Sequence, residues 1–225
     1  MSAGPERISV PAGERTPSGL WNEASRAEAV AVLAHGAGAG MEHPFMAGAA
    51  EGLAANGVSV LRFNFPYVEA GRRSPDRPSV LVEAWRGALD EAHRRSKRLP
   101  LAAGGKSLGG RMASMLAAEE KERFPAKALV FFGYPLHAPG KADRPRDEHL
   151  PDVAVPMLFI QGTDDALATF GLIEKLVQRL GPRARLHAVE GGNHSFRVRG
   201  LKRSEQETGR ELGAVAAEFI RGVVA

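Results

Sequence analysis

The chain has 225 residues, 44% of them apolar and 25% charged, a balance that points to one soluble globular domain and excludes both a disordered and a membrane-embedded chain. It contains no cysteine, which removes disulfides, thiolate metal ligands and a cysteine nucleophile, so any covalent chemistry falls to an oxygen or nitrogen nucleophile. The net charge of +4 comes from scattered Lys and Arg rather than from a basic stripe interleaved with aromatics, and nucleic acid is not an expected partner.

Short basic clusters, Arg94-Arg95 with Lys97-Arg98 and Lys202-Arg203, read as solvated helix ends where cations favour the dipole. The first 25 residues supply an edge strand or two, with 7–10 as one candidate, or a tail, and residues 26–225 read as a single domain. Pro, Gly and charges fill the first 20 positions, where a leader needs an apolar run, and no stretch reaches the roughly 18 uncharged apolar residues of a membrane span. A cytoplasmic protein without a membrane partner is the expectation.

Along the rest of the chain, apolar runs bounded by Gly, Pro or Asn alternate with longer helical patterns. Strands are predicted over 29–34, 58–63, 101–103, 128–132, 156–160 and 185–189. Helices are predicted over 46–55, 80–97, 108–121, 168–180 and 205–223, the third with Leu108, Met112 and Met115 on one face. The alternation predicts an α/β fold, a mostly parallel sheet of six or more strands with helices on both faces. Residues 133–155 carry four prolines among charges, poor material for a helical cap, so no large lid is expected.

The first of these strands runs into His35-Gly36-Ala37-Gly38-Ala39-Gly40. A dinucleotide fingerprint starting at Gly36 would need glycine at 41, where Met41 stands. The third runs into Gly105-Lys106-Ser107-Leu108-Gly109, which fits the G-x-S-x-G nucleophile elbow and has the strand before it and the helix after it that this motif needs. A phosphate-binding loop ending in the same Gly-Lys-Ser would need glycine at 100, where Pro100 stands. The elbow forces its serine onto a sharp turn with Oγ above the sheet, so the neighbours two residues away must be small.

An acid and a base follow in the order that a Ser-Asp-His arrangement uses, each just after a predicted strand. The acid is Asp165, at G-x-x-D spacing from Gly162, with Asp164 as the alternative; the base is His194, in Gly191-Gly192-Asn193-His194-Ser195-Phe196. His187 and His93 fall inside a strand and a helix and read as structural, whereas His137 and His149 fall on loops that could touch a substrate, with nothing in the sequence to select them. The backbone N–H groups of Leu108 and Ala37 are the expected oxyanion hole. His35 and Gly36 are expected beside the substrate, His35 as an organiser of its loop rather than a proton carrier.

Six blocks, HGAGAGMEHPFM, LRFNFPYVEAGRRSPDRP, GGKSLGGRMAS, FFGYPLHAPGK, QGTDD and GGNHSF, carry a resemblance to the α/β-hydrolases. More narrowly, they resemble the dienelactone-hydrolase-like branch related to testis-expressed protein 30 and to a subunit of a histone acetyltransferase complex. The resemblance implies a minimal, lidless α/β-hydrolase fold and a triad of Ser107, Asp165 and His194. It also places Arg72, Arg73, Lys106 and Arg111 around the mouth of the site, a cationic rim suited to a carboxylate or phosphate. The chain departs from dienelactone hydrolase proper, whose nucleophile is a cysteine. The expected activity is hydrolysis of a small ester or thioester, possible anionic substrates included, without metal or organic cofactor; the alternatives are a non-catalytic binding or scaffolding module on the same fold and a small serine peptidase.

Overall fold

The computed structural model describes residues 4–96 and 98–225. Eight strands form one sheet in the order β1-β2-β4-β3-β5-β6-β7-β8. They are β1 (Glu6–Ser9), β2 (Ser18–Asn22), β3 (Ala29–Ala34), β4 (Val58–Phe63), β5 (Leu101–Lys106), β6 (Ala126–Phe132), β7 (Met157–Gly162) and β8 (Ala184–Val189). From β3 to β8 every pairing is parallel, and β1 and β2 extend the sheet antiparallel beyond β4. The candidate strand at 7–10 is thus β1, while β2, which pairs Gly19 with Phe63, was not among the predicted runs.

The helices are α1 (Pro44–Ala55), the single turn α2 (Pro66–Glu69), α3 (Pro78–Arg95), α4 (Leu108–Glu120), α5 (Phe170–Leu180) and α6 (Glu205–Val224). Proline opens α1 and α3, where its missing N–H removes no helical bond, and both start two residues before the apolar periodicity does. The helix predicted over 80–97 ends at Arg95, and Lys97 lies outside the described residues, as do residues 1–3 of the expected N-terminal strand or tail. A capping box, Ser204 with Glu207, starts α6. No helix among the described residues is long and apolar enough to cross a membrane.

Two cores sandwich the sheet. Trp85 of α3, Met112 and Leu116 of α4 and Ile173 of α5 pack on one face, and Phe45 and Leu53 of α1 pack with Leu212 and Ile220 of α6 on the other. Burial on both faces explains the unbroken apolar run of β3; β4 is buried as fully but carries Ser59 and Arg62, which meet the Ala24 N–H and the Met41 carbonyl inside. The second core depends on how closely α1 and α6 approach. Each helix has a Gly-x-x-x-Gly face, Gly48 and Gly52 against Gly209 and Gly213, and a Cβ at any of the four would overlap a carbonyl of the partner helix.

Residues 133–155, the segment too proline-rich for a cap, fold back against the first core. The Tyr134 hydroxyl donates to the Arg146 carbonyl at 2.8 Å, and His149 Nε2 bonds Ser114 Oγ of α4 at 2.8 Å. Burial, helped by the nearby Arg111 charge, lowers the His149 pKa to about 4.

Two outcomes test this packing. Gly52→Val, which pushes a branched side chain into the Arg210 carbonyl, should lower the unfolding free energy in urea by about 3 kcal/mol. His149 binds a proton more readily when unfolded than when folded, so its contribution is complete above pH 6.5 and is lost as pH falls towards 4. Over that interval the wild type should lose on the order of 1–2 kcal/mol more stability than His149→Gln, the half-buried ring being partly screened by solvent, measured by urea unfolding at each pH.

Candidate active site

The turn between β5 and α4 is set by contact with β3. A Cβ at Gly105 or at Gly109 would overlap the same atom, the Ala34 carbonyl oxygen, so both flanks of Ser107 must be glycine for the strand and helix to sit this close. Ser107 itself takes φ 49°, ψ −112°, a region that L side chains rarely enter. Its N–H donates to the Phe132 carbonyl at 3.1 Å and its carbonyl accepts from Arg111 N–H at 3.1 Å, which holds the turn from both sides. Leu108 is the first residue of α4, so its N–H is free of a helical partner by position.

The loops after β7 and β8 are laced together. Asp164 N–H donates to the Gly192 carbonyl at 2.9 Å and Gly191 N–H to Thr163 Oγ1 at 2.8 Å. Asn193 Oδ1 accepts from the N–H groups of Ser195 and Arg197 at 2.9 and 3.0 Å, folding the second loop back over the sheet. His194 Nε2 thereby lies 2.9 Å from Ser107 Oγ, and its Nδ1 lies 2.7 Å from Asp165 Oδ2.

Of the two candidate acids, Asp165 is the one that reaches the imidazole, while Asp164 is exposed. The Asp165 carboxylate is fully buried and accepts also from Gln161 Nε2 at 2.6 Å and Leu167 N–H at 2.8 Å. Three donors compensate its desolvation. With Nδ1–H donating to Asp165, Nε2 is left as the acceptor facing the Ser107 hydroxyl. Gln161, at the end of β7, was not singled out in the sequence, where nothing separates it from an ordinary strand-end amide.

Ser107 and His194 open onto a cavity of about 280 Å³. Gly36, Ala37, Ala39, Phe45, Met46 and Leu167 give it a mostly apolar wall, and His43 and Glu205 stand at its edge, paired at 3.4 Å. A larger cavity of about 400 Å³ lies between β8 and α6 and touches neither Ser107 nor His194; the smaller one holds the reactive groups.

Five residues expected at the substrate are placed elsewhere or turned away. His35 is buried, accepts from Phe65 N–H at 3.1 Å and bonds the Gly36 carbonyl at 2.8 Å; burial lowers its pKa to about 4, which suits a neutral brace for the loop at 35–40. Arg72 pairs with Asp76 at 2.5 Å and lines a different hollow with Pro66 and Glu69, and Arg73 is exposed on the same loop. Arg111 faces Tyr134 and His149 on the far side of the elbow, because α4 turns it away from the carboxyl edge of the sheet. Lys106 lines the cavity, but its Nζ donates to the His194 carbonyl at 2.6 Å. The resemblance marked these cations by their place in the chain, which carries no information about the direction a side chain takes. His137, a loop histidine within supposed reach of a substrate, instead accepts from Thr169 N–H at 2.8 Å and braces the start of α5, and His149 is held by Ser114.

The family model described as an alpha/beta hydrolase domain matches residues 27–224. Among solved structures, the fold is similar to a dienelactone hydrolase from Anabaena variabilis, with TM-score 0.77, 23% identity, and coverage of 99% of this chain and 100% of that one. It is also similar to the esterase domain of a Rhodothermus marinus protein, with TM-score 0.74, 16% identity and coverage of 99% and 100%. A third, a lidless α/β serine hydrolase from Xanthomonas campestris, matches with TM-score 0.72, 16% identity and coverage of 99% and 96%.

Proposed function

The chain belongs to the α/β-hydrolase family, and from that membership we propose that it is a serine hydrolase that cleaves a small ester or thioester through an acyl-enzyme on Ser107. The observation that carries this reading is the continuous hydrogen-bond chain from Ser107 Oγ through His194 to the buried Asp165, opening on an apolar cavity. His194 Nε2 takes the hydroxyl proton as Oγ attacks the carbonyl, and Asp165 keeps the imidazole in the required tautomer and stabilises its cationic form. The proton then passes to the leaving group, and water, activated by the same imidazole, releases the acid. The N–H of Leu108, at the positive end of α4, and that of Ala37, in the cavity wall, are the donors for the oxyanion, each contributing about 3 kcal/mol to the barrier reduction.

The shared sequence blocks support the narrower kinship with the dienelactone-hydrolase-like branch of testis-expressed protein 30 and the histone acetyltransferase complex subunit. The cavity supports an uncharged, short acyl group rather than the anionic one a cationic rim would favour. Its wall offers Glu205 as a carboxylate, and the cation that lines it, Lys106, is bonded to His194.

Ser107→Ala should lower the hydrolysis of p-nitrophenyl butyrate by at least about a thousandfold while the melting temperature holds. A fluorophosphonate probe should label the wild type at Ser107 and leave that variant unmarked. Hydrolysis that survives the substitution would sink the serine mechanism.

A further inference from the structure

Lys106 occupies the position just before the nucleophile, yet its ammonium points along the inside of the histidine loop. Nζ donates to the His194 carbonyl at 2.6 Å and lies 5.2 Å from the centroid of the Phe196 ring. Gly133 makes room for it, since a Cβ there would stand 3.0 Å from Nζ and 3.6 Å from His194 Cε1. The loop it touches needs holding. Phe196 takes φ 60°, in the left-handed region where a bulky side chain is strained, and is otherwise secured by stacking on Phe45 at 5.6 Å.

Resting on the reading of Ser107, His194 and Asp165 as a triad, we propose that Lys106 is a positioning residue whose ammonium clamps the loop bearing His194 so that the imidazole stays over Ser107. Both ends of the reactive hydrogen bond are then tied to one piece of chain, the residue at 106 holding the base and the residue at 107 supplying the nucleophile.

The groups that face Lys106 fit a clamp better than a stabilising ion pair. Asp165 approaches from the loop after β7 and His194 from the loop after β8, while the elements after β3 and β6 present Gly36 and Gly133, without charge; His43 and Glu205 stand across the cavity. Lys106 forms no salt bridge among the described residues. Burial lowers its pKa to about 8, partly offset by the Asp165 charge, so the cation is held at the expense of stability. A strut selected for stability alone would not be a half-buried charge without a salt-bridge partner.

The test compares wild type, Lys106→Met and Lys106→Arg by fluorophosphonate labelling rate, by kcat and KM for p-nitrophenyl butyrate, and by thermal melting. Lys106→Met should lower kcat and the labelling rate by at least about tenfold at pH 7 with KM within about twofold, because a small misplacement of the base reaches the chemistry and not ground-state binding. It should melt no lower than the wild type at pH 7. Lys106→Arg, which keeps the cation, should recover part of the rate. The wild-type rate should fall as pH rises through about 8, where Lys106 gives up its proton, and Lys106→Met should lack that fall. A Met variant that reacts as fast as the wild type, or one that unfolds at pH 7, would overturn the proposal. A wild type inert to the probe would remove the triad reading and this inference together, whereas a reactive wild type with an indifferent variant removes this inference alone.

Discussion

The Ala34 carbonyl is the point on which the carboxyl edge of the sheet depends. Gly105 and Gly109 both rest against it, and neither tolerates a Cβ. That contact draws the end of β5 and the start of α4 under β3, and it forces the intervening Ser107 to positive φ. A residue in such a region costs on the order of 1–3 kcal/mol and persists only where its surroundings over-determine it. Here they do: β5 is hydrogen-bonded on both sides, by β3 and β6, and Trp85 Nε1 of α3 donates to the Gly109 carbonyl at 3.1 Å. The strain and the exposed hydroxyl are one feature of the backbone, which is why the motif can be read as chemistry only when a strand precedes it and a helix follows.

Around that fixed turn the buried ionisable groups are treated in three different ways. Asp165 is met by three converging donors. His35 is held neutral, with its pKa near 4, because a cation in that enclosed loop would find backbone partners but no counter-charge. Lys106 keeps its proton at neutral pH but holds it less tightly than a solvated lysine does. Site and scaffold therefore pull in different directions, with the least comfortable charges nearest the reactive hydroxyl, as expected where function and not stability sets the residue.

How much of this was legible in the sequence follows from what kind of signal each part leaves. β3 and β4 were readable to the residue, β3 as a continuous apolar run buried on both faces and β4 from Val58, Val60, Leu61 and Phe63 despite Ser59 and Arg62 between them. β5 was read three residues short, because Gly104 and Gly105 look like a turn although they are strand, glycine being required there by neighbouring backbone. β2 went unread; it is an antiparallel addition near the sheet edge whose short Gly-Leu-Trp core resembles a loop. At the site, the three residues now joined by hydrogen bonds were found by motif and chain order. The cationic rim was not legible: Arg72, Arg73 and Arg111 stand close to motif residues in the chain, but their side chains do not line the cavity, and adjacency on a turn or helix sends successive side chains in different directions.

The missing lid has a structural cause and a chemical consequence. Residues 133–155, which follow β6 where a cap would have to be inserted, are instead tied to the start of α5 through His137 and to α4 through His149, and closed on themselves through the Tyr134–Arg146 bond. Nothing in that segment stands over Ser107. The walls of the cavity must then come from the other side of the molecule, from α1 through Phe45 and Met46 and from the start of α6 through Glu205. Those two helices are locked to each other by the close glycine crossing, so the face that meets a substrate is built on a rigid pair and not on a mobile flap. On the proposed reading, discrimination between substrates would rest on the shape and polarity of α1 and of the His43–Glu205 edge, and the rate on how firmly the histidine loop is held above the elbow.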